Sequence, residues 1–160
     1  MARDKRAAVD GLLHQLIGKQ TWGLGIGPAG VNIQFGALLY NSNPKRKPNG
    51  EHSVWIKCAL LVKNKTQTVW QSGPCPAEEE QELLSALGSG KIVSDVAVDW
   101  RRNVLRMVLG NAYLLSAYPV IIGSRSFPWI VYDRSHSPVR YAVVGLKKVD
   151  LRQGESRGNQ

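Results

Sequence analysis

The sequence predicts an α+β domain, in which a mostly antiparallel, strongly curved β-sheet or partial barrel is joined by two short helices. Three observations lead there. Most apolar residues recur with a period of two, which marks half-buried strands. Helical signals occupy two short segments, one at the start of the chain and one near its middle. Nowhere does the chain alternate strand and helix as a parallel sheet requires. At 160 residues with 43% hydrophobic content, it can bury one core. Residues 1–151 are therefore expected to form a single domain. The polar stretch 152–160, "RQGESRGNQ", is expected to be a disordered tail.

The first helix rests on Val9, Leu12, Leu13, Leu16 and Ile17, an apolar stripe at i, i+3, i+4, i+7, i+8. Asp4 suits its start and Gly18 its end. The period then changes to two. Trp22, Leu24 and Ile26 alternate with Gly23, Gly25 and Gly27. Val31, Ile33 and Phe35 alternate with Asn32, Gln34 and Gly36, so the two runs form a hairpin around a Pro-Ala-Gly turn. Residues 41–50 hold prolines, asparagines and charges, which predicts an exposed loop. Val54, Ile56, Cys58, Leu60 and Val62 share one face of a single long strand over 51–64, and 66–72 return beside it. In "PAEEEQELLSALGSG", Pro76 opens a second helix, the glutamates face its positive end and Gly88 stops it.

The remainder is β again. Ile92, Ser94, Val96, Val98 and Trp100 lie on one strand face, and 101–103 turn the chain. Leu105, Met107 and Leu109 alternate in the next strand, with Arg106 outward. Gly110-Asn111 is a hairpin signal, and 112–119 return. A last hairpin spans 128–145 with "DRSHS" at its tip.

The chain carries 21 basic and 12 acidic residues, a net charge of +9. Four of the acids, Glu78, Glu79, Glu80 and Glu82, sit in the second helix segment. A field of that sign attracts nucleic acid, anionic lipid or an acidic protein. No apolar run approaches the ~20 residues of a membrane span. "GLLHQLIG" is too short and too polar to serve as the core of a signal peptide, so a cytoplasmic protein is expected. Cys58 and Cys75 match no zinc spacing and make no disulfide framework. Cys58 is read as a small core hydrophobe.

Three motifs bear on chemistry. "GIGPAG" at 25–30 matches G-x-G-x-x-G, with Glu51 about twenty positions on. A dinucleotide site needs a helix after the glycines, because the pyrophosphate sits on its N-terminus. "VNIQFGALLY" alternates like a strand instead, so no nucleotide cofactor is expected. An element of the chain itself, such as the first helix, is expected to pack on Gly23, Gly25 and Gly27. Asp133, Ser135 and His136 are triad types, but neighbours at a hairpin tip read as turn chemistry. His14 and His52 stand alone, so neither a catalytic residue nor a metal site is assigned. The basic clusters Lys45-Arg46-Lys47, Arg101-Arg102 and Lys147-Lys148 fall in loops. Trp100 beside Arg101 and Arg102 pairs an aromatic face with charge, as single-strand binders do. No nucleic-acid-binding signature accompanies them.

The Gly-punctuated strands "TWGLGIGPAGVNIQFG", the meander "VLRMVLGNAYLLSAYP" and the tryptophan after it, Trp129, resemble small bacterial immunity proteins. Those proteins are encoded beside polymorphic or contact-dependent growth-inhibition toxins. The chain also resembles related domains of unknown function, over about residues 20–145. It departs in its Gly-Asn turn and in being basic where many inhibitors of nuclease toxins are acidic. The resemblance implies a non-enzymatic protein that neutralises a cognate toxin or binds another acidic protein. It supplies no catalytic motif. A basic nucleic-acid-binding accessory protein is the alternative. The residues expected to touch the partner are Lys45, Arg46, Lys47, Trp100, Arg101, Arg102, Arg134 and His136.

Overall fold

The computed structural model describes residues 2–27, 30–39, 49–65, 68–72 and 90–154. Helix α1 (Ala2–His14) opens the chain. Sheet one is built from β1 (Thr21–Gly27), β2 (Gly30–Leu39), β3 (Asn49–Ile56), β11 (Trp129–Asp133), β12 (Arg140–Val144) and β13 (Val149–Gln153), in that spatial order. Sheet two runs β5 (Thr68–Ser72), β4 (Ala59–Lys63), β8 (Tyr113–Tyr118), β7 (Val104–Leu109) and β6 (Val93–Asp99). A separate ribbon pairs β9 (Val120–Ile122) with β10 (Arg125–Phe127).

Every pairing is antiparallel, so the chain is mostly β as expected. The expected single curved sheet or partial barrel is instead two open sheets, one with edges β1 and β13, the other with edges β5 and β6. One bridge, Gln20 to Ile92, ties the approach to β1 to the approach to β6. Among the described residues α1 is the single helix. The second expected helix, at 76–88, lies outside them.

The stretch read as one strand over 51–64 explains the two sheets. It bends at Lys57–Cys58: β3 pairs with β2 and β11, whereas β4 pairs with β5 and β8. The Lys57 N–H donates to Pro128 O at the bend (3.0 Å). Val54, Ile56, Cys58, Leu60 and Val62 are all at most 2% exposed. A bend between facing sheets keeps one side of the strand on the core throughout. Burial pushes the Cys58 thiol up to about 12, so it is an inert core group.

Val9 and Leu13 from α1 and Leu16 from the turn after it join this core, and α1 packs on β6, β11 and β13. Ile17, expected on the same stripe, is 45% exposed. The helix ends at His14 and 15–18 form a turn, which breaks the phase. Ile92 is likewise 52% exposed while Val93 is buried. A β-bulge at Ser94 shifts the register between Val93 and Asp95, so Val93 and Val96 share the inner face. Leu105, Met107 and Leu109 are buried as expected, and Arg106 is exposed. Gly110 and Asn111 both take positive φ (61° and 55°) at the β7–β8 turn.

Two elements are additional to the reading from sequence. The β9–β10 ribbon turns at Gly123-Ser124. Strand β13 runs to Gln153, so Arg152 and Gln153, read as tail, pair with β12. Residues 155–160 lie outside the described part.

Candidate partner-binding surface

Lys45, Arg46 and Lys47 lie outside the described residues. The other five expected contact residues divide between opposite ends of sheet one. The β11–β12 ladder runs from Trp129–Val144 to Asp133–Arg140. At ~3.3 Å per residue its ends are about 13 Å apart. Trp100, Arg101 and Arg102 lie at the Trp129 end, and Arg134 and His136 at the Asp133 end.

At the Trp129 end the turn after β6 is shaped by Asp99. Its carboxylate accepts from the Arg101 N–H (3.0 Å) and pairs with Arg102 (3.2 Å). The Arg101 N–H is the main reason that the Asp99 carboxyl sits below its ordinary range. Asn103 then takes a left-handed backbone (φ 56°). Its carbonyl accepts from Trp129 Nε1 (2.8 Å), and its Nδ2 donates to Gly145 O (2.9 Å). Asn103 therefore clamps the 100–103 turn against the 145–148 turn. Exposed Arg101 and Arg102 are brought beside exposed Lys147 and Lys148.

Helix α1 adds to the same end. Lys5 Nζ donates to Val149 O (3.2 Å), and the Arg6 guanidinium lies over the Trp100 ring (5.7 Å). Trp100 is half-buried against the core, so its ring is not a free stacking face. The β9–β10 ribbon lies alongside, with Ser126 Oγ close to Gly145. Leu146, Ile121 and Ile122 are exposed there at 40%, 38% and 59%. Arg125 stacks on Phe127 (4.8 Å). Lys5, Arg6 and the ribbon were absent from the expected contact set. The Gly-Ser pair at 123–124 was a legible hairpin signal, whereas the helix–turn contact is long-range and leaves no local trace.

At the opposite end Arg134 is buried at 8% exposure, which corrects its expected place on the surface. It donates to Ser53 Oγ (2.6 Å) and lies over the Tyr132 ring (4.6 Å), while Tyr132 stacks on Tyr141. Burial lowers its pKa from the ordinary arginine value. His136 is exposed, with Nε2 3.8 Å from Asp133 Oδ2. Asp133 Oδ1 accepts from both the N–H and the hydroxyl of Ser135. Because the serine donates to the carboxylate, this is a side-chain-closed turn rather than a nucleophile held by a histidine. His52 is 4% exposed, with Nδ1 3.7 Å from Asp133 Oδ1, and burial lowers its pKa.

The glycine motif resolves the same way. Strand β2 begins at Gly30, so no helix N-terminus faces the glycines. Glu51 pairs with Lys19 (2.7 Å), whose hydrogen bond is the main cause of its lowered pKa. Contrary to expectation, among the described residues no element packs over Gly23 or Gly25. A Cβ at Gly25 would meet nothing within 4 Å, and at Gly23 only the Gln34 side chain. Among the described residues no three His, Cys, Asp or Glu side chains are grouped to hold a metal ion. Likewise, no described helix is long and apolar enough to cross a membrane. No family model, curated protein or solved structure matches this chain.

Proposed function

We propose that this chain is a non-enzymatic binding protein that grips an acidic protein partner through the end described above. The partner is the cognate toxin that the growth-inhibition resemblance implies, and the setting is the cytoplasm. The observation that carries this reading is the Asn103 clamp. It joins two basic turns, separated by more than forty residues, around exposed Leu146. An apolar centre with a charged rim is the usual anatomy of a protein–protein contact. The cations speed capture of an acidic surface more than they add affinity.

The test is co-expression with the product of the neighbouring gene, followed by size-exclusion chromatography. The expected result is co-elution of the two proteins at low salt. Separate elution of the wild-type chain would remove the toxin reading. Nucleic acid is the competing partner for the same charges. It lacks a free aromatic platform here, because Arg6 covers the Trp100 ring. A mobility shift at low salt that weakens steeply as salt rises would favour it instead.

A further inference from the structure

The edges of the two sheets are finished differently. The β13 edge carries Asp150 and Arg152, and its Val149 carbonyl accepts from Lys5 Nζ (3.2 Å). In sheet two the β6 edge carries Asp95 and Asp99 and a bulge at Ser94. Charges and bulges of this kind keep an edge from pairing with another chain. Strand β1, Thr-Trp-Gly-Leu-Gly-Ile-Gly, holds neither charge nor proline. Its bulge lies at Trp22, ahead of the rest of the strand. Lys19, the closest charge in sequence, is paired with Glu51 (2.7 Å).

The backbone of β1 has an open side. Gly23, Gly25 and Gly27 pair with Gln34, Asn32 and Gly30, while Leu24 and Ile26 pair with Ile33 and Val31. Even-numbered residues of β2 turn their polar backbone groups toward β1, as the Gly36 N–H does in donating to Gln20 O (3.1 Å). Bonded and unbonded pairs alternate in an antiparallel ladder, so the β1 glycines hold it. Leu24 and Ile26 point their N–H and C=O the other way. Among the described residues nothing bonds to them there. That side does accept strand-like pairing. At Thr21 the N–H donates to Lys91 O and the C=O accepts from the Gly90 N–H, both at 2.8 Å. The side chains agree: Leu24 and Ile26 pack on the core but stay half-buried at the sheet's end. Gly25 is exposed on the opposite face, with open space where a Cβ would be.

We propose that β1 pairs antiparallel with β1 of a second copy, about a two-fold axis at Gly25, so that sheet one continues from one copy into the other. A two-fold contact needs a surface that complements itself, and this register supplies one. Leu24 faces Ile26 of the other copy, twice over, each pair exchanging two hydrogen bonds and joining its side chains on the core face. Gly25 faces its own counterpart with no side chain to clash. An uncharged edge is also where two chains of net charge +9 can meet. Residues 22–27 span about 20 Å, and a sheet is about 10 Å thick. Such a joint buries less than the ~1,200 Å² of a standard stable complex, so the association belongs to the weak class. Strand β12, whose following turn carries Lys147 and Lys148, is four strands away, about 19 Å. The joint therefore leaves the basic end free.

The experiment is sedimentation equilibrium of the full chain from about 10 µM to about 1 mM. The mass is expected to climb from one copy toward two, with half association near about 100 µM. Raising salt to about 1 M should hold or tighten the dimer, because no charge pair is screened at the joint. Leu24→Lys puts a charge on the edge and should weaken association at least about tenfold, with circular dichroism unchanged. In a Cys75→Ser background, Gly25→Cys should cross-link into a dimer under copper–phenanthroline, since facing residues of an unbonded pair lie within disulfide reach. Gly23→Cys should not, because Gly23 faces Gly27 and its two copies lie four residues apart, about 13 Å. A monomer at about 1 mM would overturn the proposal. So would equal cross-linking at the two glycines, or association untouched by Leu24→Lys. If the chain stays monomeric and the Leu24 and Ile26 amides shift only when the neighbouring gene's product is added, the edge takes a partner's strand and self-pairing is wrong.

Discussion

Gly25 and Gly30 belong to one motif by sequence but to different environments by structure, and substituting each by alanine separates them. At Gly30 φ is +117°, and an added Cβ would collide with the Ile56 carbonyl oxygen on the neighbouring strand. Forcing a side chain into that backbone region costs about 1–3 kcal/mol. Relieving the collision means parting β2 from β3 at the Val31–Ile56 pair, which loses roughly two ladder hydrogen bonds at about 1 kcal/mol each. Gly30→Ala should therefore destabilise by about 3–5 kcal/mol, the upper end for single substitutions. The melting midpoint should fall by about 10 °C in a chain of this size. At Gly25 the backbone needs no positive φ and a Cβ has open space. Gly25→Ala should be neutral or stabilise by up to about 1 kcal/mol, by restricting the unfolded chain. Urea unfolding followed by tryptophan fluorescence measures both, with unchanged m-values required. Equal losses at the two sites would refute the reasoning, as would a loss above about 1 kcal/mol at Gly25.

The bulge in β6 makes a similar contrast: Val93→Ser should cost about 2–4 kcal/mol and Ile92→Ser under about 0.5, both by urea unfolding. His52 has a pKa lowered from 6.5 by burial, so the unfolded chain takes up its proton first. Its stabilisation is complete above pH 6.5 and declines as pH falls below that. Stability measured from pH 7 to about 5 should slope downward, and His52→Gln should flatten the slope. Glu51, held low by Lys19, adds a further loss as pH falls below 4.5, which Glu51→Gln should remove. With the partner in hand, Arg101→Glu plus Lys147→Glu should slow association by about tenfold at low salt. In about 1 M salt the difference should vanish in stopped-flow mixing.

Alternation carried most of the β reading, because a strand with one buried face writes that face into every second residue. The β1–β2 and β11–β12 hairpins and the β7–β8 turn were legible for that reason. Alternation does not say which sheet a strand joins. The 51–64 run kept its inner face through the bend and so read as one straight strand. It also fails across an inserted residue: Ser94 carries no mark of a bulge, and Ile92 was placed inside. Short strands escape it, since β9 and β10 offer only three residues each. The site was legible as charge but not as geometry. Arg134 looks like any loop arginine until Ser53 and Tyr132 close over it. The convergence of Arg101, Arg102, Lys147 and Lys148 depends on one asparagine side chain reaching a backbone carbonyl far along the chain.

The bend at Lys57–Cys58 has a consequence for how such a gene can change. One frame of alternation runs from Val54 to Val62 and supplies buried residues to both sheets. Gaining or losing a single codon within β3 would turn every later side chain of the run over, exposing the β4 half of the core in one event. A two-codon change would preserve the frame. The Ser94 position of β6 already absorbs an odd residue and restores the phase after it. Length variation among descendants of this sequence should therefore be barred from 54–62 and concentrate at bulges and turns.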